Sequence, residues 1–353
     1  MKIGVFDPYL DSLSGGEKYI LTAASCLSKK HEVFIFWDDE KILNNARKKF
    51  DLDLSKVRVT SNIFSPKVPL GKRFIKSKSY DSILFLSDGS LPVLGCKLYV
   101  HFQFPVDWVK EKFSTRLKIR RAKKVICNSK FTKEHIDQKF RINSIVLYPP
   151  VDDFPKSRQK ENIVLSVGRY GKLANGTSFK KQEFMIEAFK KLLKQGITEW
   201  RFFLVISFAK NNLRDVERLK KQIKGYPIEI FENLNLTKLK EIYQKSKIYW
   251  HAAGFGENLG ANPELAEHFG ITTVEAMKNG LVPVVIRAGG QKEIITDKKD
   301  GFLWDKEKQL IFFTKELIKN EDLLTNMARQ AIKNSARFSQ KVFCKQMNEV
   351  FIK

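Results

Sequence analysis

The 353-residue chain carries 64 Lys and Arg against 39 Asp and Glu, a formal net charge of +25, with 43% hydrophobic and 12% aromatic residues. That apolar content excludes a largely disordered chain, and the length exceeds what one hydrophobic core usually serves, so two domains are expected. The longest apolar stretches, such as 202–209, fall far short of the roughly 20 residues needed to span a bilayer as a helix.

Cys26, Cys96, Cys127 and Cys344 lie far apart with no Cys-x-x-Cys pair. The expectation is therefore neither a disulfide framework nor a Cys-ligated zinc site, and a reducing, cytoplasmic setting. Met1 to Phe6 runs straight into a strand-like pattern and leaves no room for a signal peptide.

Short β-rich apolar runs alternate with longer amphipathic stretches, the pattern of parallel sheets covered by helices. In chain order, strands are expected at 2–6, 32–37, 57–60, 82–86, 97–102, 124–128 and 144–148. Pro149-Pro150 and the polar stretch 152–161 then mark a domain boundary. The alternation restarts with strands at 162–167, 201–207, 228–231, 248–252 and 282–286, separated by helices such as 180–194 and 236–245. Two tandem α/β halves without a long-period repeat imply two doubly wound domains facing a cleft, with ligands at the carboxyl ends of the strands. The last segment, 340–352, carries Val342, Phe343, Met347, Val350 and Phe351 at helical spacing and is expected to pack back across the first domain. The expected limits are 1–152, 153–338 and a terminal helix within 339–353.

The most informative stretch runs from Glu267 to Met277, where Glu267 and Glu275 are separated by seven residues. A helix starting near Gly270 places the first carboxylate in the loop ahead of it and the second one to two turns inside. Eight residues of helical rise separate the two by at most about 12 Å, so they can contact two parts of one elongated ligand. The helix start between them offers N–H groups and a positive dipole end that suit a phosphate.

This E-x7-E arrangement, with Phe269-Gly270 after the first Glu, is followed by Asn279 to Val285 and then Gly289-Gly290-Gln291-Lys292-Glu293. In that order the run resembles the family 4 retaining glycosyltransferases of the GT-B fold, and the similarity extends over nearly the whole chain. Val167-Gly168-Arg169 at a strand end and the helix opening at Lys180-Lys181 resemble the family's Arg and Lys that clamp the donor diphosphate. Two fixed cations can stabilise a leaving nucleoside diphosphate in place of a metal. A longer loop, Tyr170 to Phe179, departs from the common pattern and leaves Lys180 and Lys181 both open for that role. Ser14-Gly15-Gly16-Glu17 is similar to the family's glycine-rich turn, and His101 resembles the histidine beside the donor sugar. Leu147 to Asp152 looks like the family's interdomain linker, and Val100 to Phe102, Tyr148 to Pro150 and Glu267 to Ile271 are similar to the mannosyltransferases that build lipid-linked oligosaccharides.

The resemblance implies two Rossmann-like domains, acceptor-side first and nucleotide-sugar-binding second, and a hexosyltransferase that retains the anomeric configuration. It implies that Glu275 accepts from the ribose hydroxyls, Arg169 and Lys180 bind the diphosphate, and Glu267 holds the sugar hydroxyls. Phe269, Gly270 and Ile271 would line the donor, and Gly15, Gly16 and His101 would face the sugar from the first domain. Neither a metal nor a cofactor is expected. GDP-mannose is the favoured donor with UDP-sugars open, and the acceptor is a saccharide or a lipid-linked glycan. A same-fold epimerase or phosphorylase and a non-catalytic basic binding protein are the rival readings.

Asp51-Leu52-Asp53 matches a metal-binding D-x-D but falls between a helix and a strand, where a solvated turn is expected. The five histidines show no metal-ligand spacing. His251 to Glu257 precedes a polar insertion, 258–266, that reads equally as a substrate lid or a surface loop. Two stretches concentrate positive charge: Leu54 to Tyr80, with seven basic and no acidic residues, and Lys110 to Lys124, with eight basic and one acidic. In the second, Val106, Val109, Phe113 and Leu117 form one stripe expected to face the core, with Trp108 and Ile119 exposed. Such a segment fits an anionic membrane face. Nucleic acid also fits the charge, but no recognisable nucleic-acid module is present.

Overall fold

The computed structural model describes residues 1–110, 112–153, 159–173 and 176–352. Parts of the boundary stretch 152–161 and of the loop 170–179, Glu111 in the second basic stretch, and Lys353 lie outside the described residues. The chain divides into two units, Met1–Pro150 with Phe338–Lys353, and Val151–Arg337.

In the first unit the order is β1 (Lys2–Phe6), α1 (Gly15–Ser28), β2 (Glu32–Phe36), α2 (Lys41–Phe50), β3 (Val57–Thr60), α3 (Leu70–Ser77) and β4 (Ser82–Leu86). There follow β5 (Lys97–Phe102), α4 (Phe113–Arg120), β6 (Lys124–Cys127), α5 (Lys130–Phe140) and β7 (Ile145–Val146). The second unit contains β8 (Ile163–Arg169), α6 (Gln182–Lys194), β9 (Arg201–Ser207), α7 (Leu213–Gln222), β10 (Ile228–Glu232), α8 (Leu236–Lys245) and β11 (Ile248–His251). It continues with α9 (Ile271–Lys278), β12 (Val282–Ile286), α10 (Gln291–Ile294), β13 (Phe302–Trp304), α11 (Glu307–Lys319) and α12 (Glu321–Ser335). The chain ends in α13 (Gln340–Ile352), which packs on α1 within the first unit.

All strand pairs among the described residues are parallel, in the orders β3-β2-β1-β4-β5-β6-β7 and β10-β9-β8-β11-β12-β13. Central strands such as β4 and β12 are buried at every residue, because helices cover both faces of each sheet. Helix starts follow local chemistry: Ser14 and Glu17 form a capping box on α1, and the side chains of Ser129, Asn235 and Asn320 accept first-turn N–H groups on α5, α8 and α12. In each sheet the strand order reverses beside its first strand, at β1/β4 and at β8/β11, where the fold leaves a crevice at the strand ends. No helix among the described residues is long and apolar enough to cross a membrane.

Three expectations are corrected. Cys26 of α1 and Cys344 of α13 form a disulfide, 318 residues apart in sequence. The pairing arises because the terminal helix returns to α1, and it removes cysteine usage as an argument for a reducing compartment. The stripe Val106, Val109, Phe113 and Leu117 is split: Val106 is buried in the core of the first unit and Val109 packs against it, but α4 begins only at Phe113 with its phase set by buried Ile119, which was expected to be exposed, so Phe113 and Leu117 point outward. Trp108 is exposed, as expected. Finally, β13 was not expected, since three residues carry no readable period, and the strand expected at 144–148 contracts to two residues.

Candidate active site

Arg169 ends β8 and His251 ends β11, on either side of the switch point of the second sheet. Glu267 arrives from the loop after β11, and Lys180 from the residue pair ahead of α6. Lys180 Nζ lies 2.5 Å from Glu267 Oε2, and His251 Nε2 lies 2.7 Å from the same oxygen. Burial raises the pKa of Glu267, but the Lys180 charge and the hydrogen bonds from His251 and Lys180 outweigh it and hold the carboxyl well below the usual carboxylate range. Burial lowers the pKa of His251, so the neutral ring donates Nε2–H to Glu267, and its Nδ1 has no partner among the described residues. Both donors engage Oε2.

The glycines of the Gly289-Gly290 turn are explained by this seat. A Cβ on Gly289, whose φ is +54°, would stand 2.2 Å from the Glu267 carbonyl oxygen, and one on Gly290 would stand 2.5 Å from Phe269 Cα. Gly290 also donates its N–H to that Glu267 carbonyl at 2.7 Å. The turn therefore fixes the backbone from Glu267 to Phe269 directly ahead of α9. Gly270, at φ +120°, caps α9, as expected for a helix starting there; Phe269 is buried and Ile271 is the first helical residue. Glu275, one turn inside, accepts from Tyr243 Oη at 3.0 Å. Tyr249 Oη donates to Thr272 Oγ1 at 2.7 Å, so two buried tyrosines anchor the first turns of α9.

Of the two lysines left open by the sequence, Lys180 meets Glu267. Lys181, the left-handed residue capping α6, is turned away and buried against Glu257 and Thr177. The loop that begins at Tyr170 is tied to α6 by Tyr170 Oη and Ser178 Oγ donating to Glu183. Through Lys181 and Glu257 it is joined to the start of the 258–266 insertion.

In the first unit, Gly15 and Gly16 open α1 just beyond β1. Gly16 lies so close to Gln103 that a Cβ would sit 2.3 Å from Gln103 Oε1, and Gln103 Nε2 donates to the Gly16 carbonyl at 3.0 Å. His101, on β5, is fully buried: its ring stacks on Tyr19 at 4.2 Å and its Nδ1 lies 3.2 Å from the Ile126 carbonyl oxygen. Burial drives its pKa down to about 3, so it is neutral, and Nε2 has no partner among the described residues. His101 therefore presents no surface to a ligand in this conformation.

Two residues escaped the sequence reading. His251 was noted as one of five histidines and as the start of the stretch ahead of the polar insertion, without a role in the site, and its strand-end position beside the E-x7-E loop was the available signal. Asp7, at the carboxyl end of β1, is buried with Oδ2 unpartnered. Burial, and then the charges of Glu17 and Asp11, raise its pKa to about 7 against one hydrogen bond from the Tyr9 N–H. Among the described residues no group of His, Cys, Asp and Glu is arranged to hold a metal ion. Asp51 and Asp53 lie in a turn after α2, where Asp53 accepts from Ser55.

Two parallel, doubly wound sheets, with the carboxylate pair on either side of a helix start in the second, have the architecture of the GT-B glycosyltransferases. Residues 151–334 match the family model described as glycosyl transferases group 1, more than half of the chain, and the protein belongs to that family of transferase enzymes. It is similar to GDP-Man:Man(3)GlcNAc(2)-PP-Dol alpha-1,2-mannosyltransferase of Dictyostelium discoideum, with 22% identity over 77% of this chain and 54% of that protein. The Xenopus tropicalis protein of the same name is 22% identical, over 97% of this chain and 85% of its own length. The chain thus spans about half the length of the Dictyostelium relative. Among solved structures, Anabaena Alr3699/HepE in complex with UDP and glucose has a TM-score of 0.73 at 18% identity, covering 99% of both chains. A glycosyltransferase from Rickettsia africae has a TM-score of 0.72 at 18% identity, covering 99% of this chain and 98% of that one.

Proposed function

We propose that the protein transfers a hexose, mannose by preference, from a nucleoside diphosphate donor to a saccharide or lipid-linked acceptor with retention of anomeric configuration. One observation carries the reading: an ionised, half-buried carboxylate, Glu267, is held by Lys180 and His251 immediately ahead of the start of α9. Arg169, Lys180 and the α9 N–H groups around Gly270 and Ile271 then take the diphosphate, Glu275 the ribose hydroxyls, and Phe269 lines the donor. Glu267, with both protein donors on Oε2, keeps Oε1 for a sugar hydroxyl. Acceptor-side roles stay with the first unit, at the Gly15-Gly16 turn with His101 behind it.

A Glu267 so engaged is a poor covalent nucleophile, which favours attack on the face the leaving group vacates. The acceptor oxygen bonds to the anomeric carbon as the carbon–oxygen bond to phosphate breaks, and the departing phosphate oxygen takes the acceptor proton. Arg169 and Lys180 neutralise the charge that develops, the role a divalent ion plays elsewhere. GDP-mannose as donor and work at an anionic membrane face are supported by the named mannosyltransferase relatives and by the charge of the first unit. Thermal-shift screening against GDP, UDP and ADP sugars tests the donor, because a ligand that binds only the folded form raises the melting point. Product analysis follows: a glycosylated acceptor with the donor's anomeric configuration is expected, whereas a free epimer or a sugar phosphate formed without acceptor contradicts the reading.

A further inference from the structure

The two basic stretches meet in the structure. Residues of α3, including Leu70, Arg73 and Phe74, and of α4, Thr115 and Lys118, line one pocket of about 1000 Å³ in the first unit. Each helix carries three basic residues and no acidic one. Around this pocket the large apolar side chains point outward: Leu70 is 76% exposed, Ile75 68%, Phe113 82% and Leu117 53%, and Trp108 lies just ahead of α4 at 59%. Phe113 and Leu117 stand four residues apart on one face of α4, where a core-facing stripe was expected. A soluble surface gains nothing from this clustering, whereas a lipid interface takes apolar tips into the acyl boundary while long basic stems reach the headgroups.

We propose that α3 and α4 form a docking surface for an anionic lipid bilayer, with the pocket between them opening at the membrane face. The charge of both helices selects anionic headgroups, and Leu70, Ile75, Phe113 and Leu117 supply the insertion. The inference deepens the proposed function and rests on its membrane-borne acceptor for its purpose, but its test needs vesicles alone.

The full-length protein is sedimented with vesicles of phosphatidylcholine, with and without about one third phosphatidylglycerol, at near-physiological salt. Wild type is expected to bind the anionic vesicles at least roughly tenfold more tightly than the neutral ones. The combined variant Leu70→Ser, Ile75→Ser, Phe113→Ser and Leu117→Ser, which leaves the charge untouched, is expected to lose roughly tenfold or more of that binding. Phe312→Ser, at an exposed apolar residue of the second unit, is expected to bind as wild type does. Equal binding by wild type and the combined variant would make the attraction a property of the global charge and overturn the proposal, as would absence of binding or equal binding to neutral vesicles. A second measurement needs no fourfold variant: brominated phosphatidylcholine in the anionic vesicles should quench the tryptophan emission, and Trp108→Phe, which leaves the partly buried Trp37 of the pocket in place, should lose most of that quenching. Unquenched Trp108 overturns the proposal too. Failed glycosyl transfer with intact vesicle binding would count against the proposed function and leave the docking surface standing.

Discussion

Replacing Lys180 by Met keeps the stem of the side chain and removes the ammonium 2.5 Å from Glu267 Oε2. The two side chains are 19% and 17% exposed. A surface pair contributes about 0–1 kcal/mol, and breaking a fully buried one costs about 3–5 kcal/mol. This pair lies nearer the buried limit, and His251 remains as a donor, so the expected loss is about 2–3 kcal/mol at neutral pH. Because the folded-state pKa of Glu267 is depressed, its stabilisation is present above the ordinary value of 4.5 and is lost as pH falls toward the folded value. The difference between wild type and Lys180→Met should therefore be level from weakly alkaline pH down to about 5 and shrink below it. Urea unfolding across that range gives the profile, and a double-mutant cycle with Glu267→Gln isolates the coupling. A loss below about 0.5 kcal/mol at neutral pH, or a difference that does not shrink on acidification, would refute the reasoning.

Arg169→Ala and Glu275→Gln should each weaken nucleotide-sugar binding by roughly tenfold or more in calorimetry while leaving the melting temperature within a few degrees of wild type. Gly290→Ala pushes a methyl onto Phe269 Cα and should cost about 1–3 kcal/mol of stability together with donor binding, because the displaced segment carries Glu267. Asp7 has a folded-state pKa raised from 3.8 to about 7, so it destabilises the fold increasingly as pH rises between those values. Asp7→Asn should gain on wild type by up to about 1.4 kcal/mol per pH unit across that window in urea titrations and level off above it. Dithiothreitol should lower the melting temperature of wild type toward that of Cys344→Ser, with a loss of stability of up to about 5 kcal/mol for so long a closed loop. A reductant-insensitive wild type would contradict the Cys26–Cys344 bridge.

Where a signal is local, the sequence was readable. Lys2–Phe6, Val57–Thr60, Ser82–Leu86 and Val282–Ile286 are short runs bounded by turn residues, and each is a strand as expected. The start of α9 was legible because Gly270 breaks the pattern between Phe269 and an apolar helix face. Partnerships made across the fold were not legible. Cys26 finds Cys344 only once α13 lies on α1, and Lys181 is distinguished from Lys180 only by Glu257, which meets it from another loop. The α4 stripe failed in its second half for a different reason: periodicity gives a helix phase only where the helix exists, and residues 105–110 and 112 are not helical. His101 sits on the expected strand, but what covers it, Tyr19 of α1, is a tertiary contact.

The central claim is that the second unit holds a donor nucleotide through Arg169, Lys180, Glu275 and the start of α9, with Glu267 on the sugar. A crystal structure of the protein with GDP-mannose, grown without divalent ions, tests it most directly. The account predicts the diphosphate against the α9 N–H groups between Arg169 and Lys180, with the ribose on Glu275. A nucleotide bound elsewhere, or bound only through an added metal ion, would contradict it.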